Sequence, residues 1–447
     1  MTVNTNECAD DLRPPSSNSG VTNLRRRFYG WWIVATTVVT FGISVGVPYY
    51  NIPFFYDYFQ KTFNWQLRQI TLGFPLAAAL TLWVGPLLVP RFSPRKLILC
   101  GTGLTAIALF GFSMMNGSVG IYYLLCFIYT VGYILSGPIP HQILVSYWFQ
   151  KKRGRAMGIV YAGVGIFGGL GSFFVRAVTE RYGFRLTLAA LGLLMFATWP
   201  LCIFLLRDHP RELRQNPDGA DQPSFDTMTS IHTFSYLLHS VSFWLLLLGS
   251  VCSIGSIGAI NTHMKLVFRD SGFTDQTALN TAWTYASALI LWSSIVGRLC
   301  VGYLVDSFSK KRVMVVTYFL VAASILLLLQ VSPSHPASLY IFAVAFGFSM
   351  GADYMLIPLM VAEQFGVNTL ARAMSIILPV NMIGLTWCPY LVSYIREHHG
   401  SYREGMAVVV GIAMLGAFAI AALPRRSLLL QPGHDLTVGV SGSREGR

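Results

Sequence analysis

The sequence predicts an all-α polytopic membrane protein with twelve transmembrane helices in two six-helix halves. Three observations carry that fold class. Of 447 residues, 54% are hydrophobic and 11% are charged, with a mean hydropathy of +0.55. A soluble protein carries about 25% charged residues. Apolar runs of membrane-crossing length recur along the whole chain, and the second half repeats landmarks of the first. So much apolar surface has no place in water, which excludes a soluble enzyme, a disordered chain and a secreted disulfide scaffold. The net charge of +13 reads as loop charge that sets orientation, because Lys and Arg cluster between the apolar runs. No nucleic-acid partner is expected.

Taken in order, residues 1–28 form a polar cytoplasmic tail with Pro14 and Pro15, ending near Arg25, Arg26 and Arg27. The apolar run that follows is too long for a signal-peptide core and lacks a convincing cleavage site, so it is retained as the first helix. Apolar runs lie at 29–56, 70–90, 97–115, 120–147, 155–178, 185–206, 240–264, 279–305, 312–331, 337–361, 371–395 and 404–423. Each is long enough to cross as a helix of about 20 residues, whereas a barrel would show alternating strands of about 10. Residues 207–239 hold Pro210, Pro217, Gly219 and Pro223 among charges and read as a cytoplasmic linker. The linker divides a half at 29–206 from a half at 240–423, and 424–447 is a cytoplasmic tail. With the amino terminus inside, the inner segments carry most of the 32 Lys and Arg, so both termini are expected in the cytoplasm of a plasma (inner) membrane protein. Cysteines 8, 100, 126, 202, 252, 300 and 388 show no Cys-x-x-Cys and read as small buried hydrophobes.

A shift of about 216 residues aligns the halves. Arg91-Phe92-Ser93-Pro94-Arg95-Lys96 falls on Ser307-Phe308-Ser309-Lys310-Lys311-Arg312, and Phe149 falls on Phe365. Arg155-Ala156-Met157-Gly158 falls on Arg372-Ala373-Met374-Ser375 with one residue of slip. Order and near-constant offset argue for a duplicated six-helix unit. Two such halves suit alternating access about a site at the bilayer midplane.

Gly302-Tyr-Leu-Val-Asp306-Ser-Phe-Ser-Lys310-Lys311-Arg312 resembles the Gly-x-x-x-Asp-Arg-x-Gly-Arg-Arg loop of the major facilitator superfamily. The first-half copy departs from it, with Pro90 in place of the Asp and Ser93 in place of the Gly. Within that superfamily the chain is similar to the monocarboxylate transporter and oxalate/formate antiporter branch. Trp148 to Gly163 resembles the branch motif at the start of its fifth helix, with Arg155 where a Leu is expected. Phe28-Tyr29-Gly30-Trp31-Trp32 resembles the aromatic start of the first helix, and His263-Met264-Lys265-Leu266 the end of the seventh. Gly297-Arg298 resembles the arginine that holds the substrate carboxylate. The resemblance implies the major facilitator fold and a transporter of small organic anions. Ser294 stands where some members carry an acid or amide, and no Lys occurs in 373–395 where oxalate-type members use one. A two-point clamp for a dicarboxylate is therefore not expected.

The residues themselves point the same way. Arg298 is the only basic residue well inside an apolar run. An arginine near the bilayer centre costs roughly 2.5–3.5 kcal/mol on insertion scales, so it faces protein or a watery cavity. Ser294 and Arg298 share one helical face. A guanidinium binds a carboxylate bidentately, so an anionic substrate fits; the alternative is a structural ion pair. Asp353 lies at matching depth and reads either as a proton carrier or as the permanent partner of Arg298. His141 and His263 are candidate proton-coupling groups or hydrogen-bonded helix-end residues. Tyr49 and Tyr133 are candidates to pack around a small acid, or belong to interfacial belt and packing. Asn381 bonds substrate or the next helix. Gly302, Asp306, Lys310, Lys311 and Arg312 are candidate gating residues. Asp306 reads as a gate or helix-end contact rather than a substrate ligand.

The leading expectation is a secondary transporter of small organic anions, monocarboxylates first, coupled to protons or to counter-anion exchange. The alternative within transport is an exporter of amphiphilic compounds, which needs no central arginine. A ligand sensor would need an added cytoplasmic domain. An enzyme is disfavoured, since no nucleophile–base–acid set or metal-ligand spacing appears. No cofactor is expected, and no Gly-x-x-x-x-Gly-Lys loop implies ATP drive. Expected partners are a small organic anion, a proton or counter-anion, and the lipid bilayer.

Overall fold

The computed structural model describes residues 28–220 and 233–424 and is nearly all helix. Ten helices among the described residues are long and apolar enough to cross a membrane. Two shorter apolar stretches, Gly30–Gly46 and Gln69–Leu80, occupy the first and second positions. The sequence gives full-length apolar runs there, and backbone chemistry explains why the regular helices are shorter.

Helix α1 begins as Gly30–Phe41, passes through a π-helical turn at Gly42–Gly46, and continues through Val47–Asn51, Ile52–Phe55 and Tyr56–Phe63. The junction residues keep right-handed helical dihedrals, so α1 is interrupted but not ended until Asn64, at φ 56°. Pro48 and Pro53 lack the N–H that a continuous ladder needs. Helix α2 is split into Leu67–Leu80 and Val84–Leu88 by a turn at 81–83. Helix α3 is Pro94–Met114, and α4 runs Val119–Ser136 and Pro138–Trp148 around Gly137. Helix α5 is Arg153–Tyr182, and α6 is Phe184–Phe196 continued by Thr198–Pro200 and Leu201–Leu205. After a short helix at Phe234–His239 come α7 (Val241–Asp270), α8 (Gln276–Ser307), α9 (Lys310–Leu328), α10 (Pro336–Phe365), α11 (Val367–His399) and α12 (Tyr402–Ala421). Several of these have 30 to 33 residues, well beyond the ~20 that cross the hydrocarbon core. Their surplus turns project from the bilayer or are taken up by tilt.

The halves meet along α8, which lies between α5 and α10 with backbone against backbone. A Cβ on Gly158 of α5 would lie 2.5 Å from the Arg298 carbonyl oxygen, and one on Gly302 of α8 would lie 2.7 Å from the Gly154 carbonyl oxygen. On the other flank, Gly297 faces the Phe348 carbonyl and Gly351 faces the Ser294 carbonyl. Without a hydrophobic drive between helices in lipid, such close small-residue packing supplies the van der Waals contact that holds them together.

Candidate functional site

Arg298 projects from α8 toward α5 and is 5% exposed. Its Nη1 donates to the Tyr161 carbonyl oxygen at 3.1 Å, and its Nε has no protein acceptor. Gly165 makes the approach possible, since a Cβ there would sit 2.8 Å from that same Nη1. The chain of contacts continues into the first half. The Tyr161 hydroxyl accepts from Gln142 Nε2 on α4, and Gln142 neighbours His141. His141 Nδ1 lies 2.8 Å from the Gly137 carbonyl oxygen, and Nε2 lies 3.1 Å from Thr40 Oγ1 on α1. A carbonyl can only accept, so the proton is assigned to Nδ1, and Nε2 takes the Thr40 hydroxyl hydrogen. Phe41 stacks on the imidazole at 4.7 Å.

The prolines of α4 shape this region. Pro140 has no N–H for the Ser136 carbonyl, which instead accepts from Ser44 Oγ on the π-turn of α1 at 3.1 Å. Buried polar atoms are paired as a rule. Here Arg298 Nε, Ser294 Oγ and Gln142 Oε1 are buried with no protein partner. Arg298 Nε on α8 and Gln142 Oε1 on α4 thus remain without protein partners on either side of Tyr161, and Ser294 lies one turn before Arg298 on α8. That is an arrangement suited to a small anionic ligand.

Of the two readings of Asp353, the permanent bridge to Arg298 is not formed. Asp353 is fully buried on α10, and its Oδ2 accepts from Ser253 Oγ of α7 at 3.1 Å. The Tyr318 hydroxyl of α9 lies beside the same carboxyl. No ion pair involves Asp353 among the described residues. Depth along two helices can match while rotation does not. One residue turns the side chain by about 100°, and Asp353 faces α7 and α9 while Arg298 faces α5.

The other candidates divide. His141 reaches Tyr161 through Phe41, whose ring packs on both the imidazole and the phenol. His263 lies apart from these residues, with Nε2 2.9 Å from the Pro389 carbonyl oxygen and 3.4 Å from Ser393 Oγ on α11. Asn381 bonds the next helix, its Oδ1 accepting from Ser250 Oγ of α7 at 2.9 Å. Tyr133 is half-buried against two hydrophobic clusters, one confined to the first half and one spanning both halves. Tyr49 is helical, but its side chain lies outside the described residues. Tyr161, Gln142 and Thr40 are the additional residues. Tyr161 stands inside the motif at the start of α5, where a hydroxyl in an apolar run is the available signal.

At the basic-loop end, Asp306 closes the seam. Its Oδ1 accepts from the Gly154 N–H at 2.7 Å and its Oδ2 from the Arg155 N–H at 3.0 Å. The carboxylate thus caps the first turn of α5, where the helix dipole favours negative charge. Arg155 adds a 3.6 Å ion pair and lies over the Tyr303 ring at 4.2 Å. Gly302 is part of the same contact. Lys310 pairs with Glu363 at 2.9 Å and Lys311 donates to the Leu423 carbonyl at 2.5 Å, both within the second half. Arg312 is exposed. From the linker, Asp218 accepts from the N–H groups of Gln150, Lys151 and Lys152 at 2.8, 2.6 and 3.2 Å. Asp306→Asn removes the charge and one acceptor, so the seam is expected to loosen by about 1–2 kcal/mol. Spin labels on the inner ends of α5 and α8 should then report a larger separated population; an unchanged distance distribution would count against Asp306 as the closing group.

The Major Facilitator Superfamily profile matches residues 139–300 and 281–432. Among curated relatives, Monocarboxylate transporter 13 of Bos taurus is 24% identical over 344 residues, covering 76% of this chain and 76% of that protein. The MFS transporter asaE of Aspergillus flavus is 24% identical and covers 88% and 86% of the two chains. The Fujikurins efflux protein of Gibberella fujikuroi is 24% identical, covering 74% and 67%. Among solved structures, the E. coli fucose:proton symporter superposes with a TM-score of 0.66 at 12% identity, over 89% of this chain and 100% of that one.

Proposed function

The chain belongs to the Major Facilitator Superfamily and is a multi-pass membrane transporter rather than an enzyme; from that premise we propose that it moves small organic anions, monocarboxylates first, by alternating access. The observation that carries this reading is Arg298, a buried guanidinium between the halves whose Nε has no protein acceptor. Buried cations within membrane segments mark substrate pathways by default, and the planar fork matches a carboxylate. Ser294, one turn away on α8, and the hydrogen-bonded Tyr161–Gln142 pair supply the neighbouring polar groups. Similarity to monocarboxylate transporters supports the same substrate class. Both termini are cytoplasmic in this reading, with halves at 29–206 and 240–423 joined by 207–239.

Coupling follows from energetics. An anion entering against a negative-inside potential is opposed by about 2.3 kcal/mol per 100 mV. One proton, or an exchanged internal anion, cancels that term for a monocarboxylate. Asp353 is the proton carrier in the first case. A buried charge is costly unless paired, and this carboxyl has a serine and a tyrosine beside it rather than a cation. Asp353→Asn is expected to remove acceleration of uptake by an inward proton gradient while leaving anion exchange measurable; retained gradient-driven uptake would end the proton role.

Similarity to a fungal efflux protein supports a second reading, export of amphiphilic compounds. A proteoliposome panel of lactate, pyruvate, formate, oxalate and longer acids, with and without a pH gradient, separates the two. Arg298→Ala abolishes flux under the first reading and leaves export largely intact under the second.

A further inference from the structure

The start of α5 is fastened from two directions. Residues 149–152 join α4 to α5, and Lys152 at the cap position makes no side-chain cap. A helix start leaves its first N–H groups without intrahelical partners, and its dipole disfavours cations. Residues 149–155 nevertheless supply Lys151, Lys152, Arg153 and Arg155, and no acid. The acceptors come from elsewhere. Asp306 of α8 takes the Gly154 and Arg155 N–H groups across the seam. Asp218 takes those of Gln150, Lys151 and Lys152, directly before them. Asp218 belongs to a strap built onto the first half. The Arg207 carbonyl accepts from Trp148 Nε1 of α4 at 2.9 Å, and Asp208 Oδ1 from the Arg95 N–H of α3 at 2.9 Å. Gln215 Oε1 accepts from the Tyr29 N–H at the start of α1 at 3.0 Å, and the His209 ring lies 4.2 Å from that of Tyr147. Asp218 therefore travels with the first half, while Asp306 travels with the second.

We propose that Asp218 is a positioning residue for closure at the basic-loop end. It keeps the 150–152 turn in its docked shape while the halves are apart, so that the Gly154 and Arg155 N–H groups stay aimed at the returning Asp306 carboxylate. Parting of the seam takes the Asp306 charge away from a helix start rich in cations. Without Asp218 that start would have neither of its two carboxylates, and the turn would fray. Closing would then have to order it again, at a loss of conformational entropy for each residue fixed. Asp218 keeps the turn ordered in both states, which removes that loss from each cycle. This role rests on the alternating access proposed above and holds for any cargo.

The test places spin labels at the basic-loop ends of α5 and α8 in the full-length protein in nanodiscs. The ratio of parted to closed populations is read without substrate. Asp218 has φ 57°, a conformation that glycine adopts freely, so D218G keeps the turn and removes the carboxylate. It should raise the ratio at least about threefold, short of the roughly tenfold that one charge-assisted bond carries. D218N keeps the turn and one acceptor oxygen, and its ratio should fall between those of the wild type and D218G. In the D306N background D218G should add less than about twofold, because positioning counts only while the Asp306 carboxylate is there to dock. D208N loosens the same strap at α3 and should shift the ratio less than D218G does. An unchanged ratio in D218G, the same shift in both backgrounds, or an equal shift from D208N would each overturn the proposal. Should D218G fail to fold, D218N decides, because an unchanged ratio there overturns the proposal too. Anion flux in Arg298→Ala is read separately, so failure of the cargo assignment and failure of this role are distinguishable.

Discussion

Arg298→Ala is expected to lower uptake of a monocarboxylate by at least about a hundredfold at subsaturating concentration. Truncating one partner of a buried charge pair typically costs about 3–5 kcal/mol, because the other charge is left uncompensated. Under the proposed function the stranded partner is the substrate carboxylate. Arg298→Lys retains the charge but loses the planar fork, so it should retain a small fraction of wild-type flux with weaker apparent affinity. The arginine's protein contact is a single backbone carbonyl, so its loss leaves no acidic side chain unpaired, and the fold should survive. Radiolabelled lactate or pyruvate uptake in proteoliposomes, normalised to protein with native melting behaviour, is the measurement. Undiminished uptake in the alanine variant would remove the anion-binding role.

Gly158→Val is expected to have an effect of similar size by a different route. A β-carbon at this position meets the Arg298 carbonyl oxygen at 2.5 Å and the Gly302 Cα at 3.4 Å. Both are backbone, so neither can swing aside as a side chain would. Overpacking of this kind costs about 1–3 kcal/mol where the surroundings yield, and more where they do not. The state closed at the basic-loop end bears that cost, while a state with α5 and α8 parted does not. The variant should therefore accumulate in the parted state and lose most of its cycling. Labelling of a cysteine introduced near Gly302 should rise from the basic-loop side while net flux falls. Wild-type labelling together with wild-type flux would show that α5 and α8 do not separate during transport.

Much of this molecule is legible in its sequence. Hydropathy locates the helices because a bilayer leaves backbone groups no partner but the helix itself. Asp306 is legible as a gate or helix-end group from its loop motif, and the structure puts it on the first N–H groups of α5. The shortened regular stretches of α1 and α2 are not legible from apolarity, since prolines and a π-turn change hydrogen bonding without changing hydropathy. The Arg298–Asp353 pairing fails for a related reason. Run lengths fix how deep a residue sits, while the rotation of α10 depends on which neighbours its glycines admit. Gly347 and Gly351 press one face of α10 onto α8, and Asp353 is turned to α7 and α9. The linker contact made by Asp218 was equally hidden, because it depends on a left-handed turn at φ 57° within a polar segment.

The glycine joint along α8 also bears on how such a protein can change over generations. Where side chain meets side chain, a bulky replacement on one wall can be offset by a trimmed neighbour on the other. Where backbone meets backbone, no second-site change can make room. Shifts in cargo preference should therefore arise from residues around the guanidinium, and variants of the joint itself should be eliminated rather than repaired.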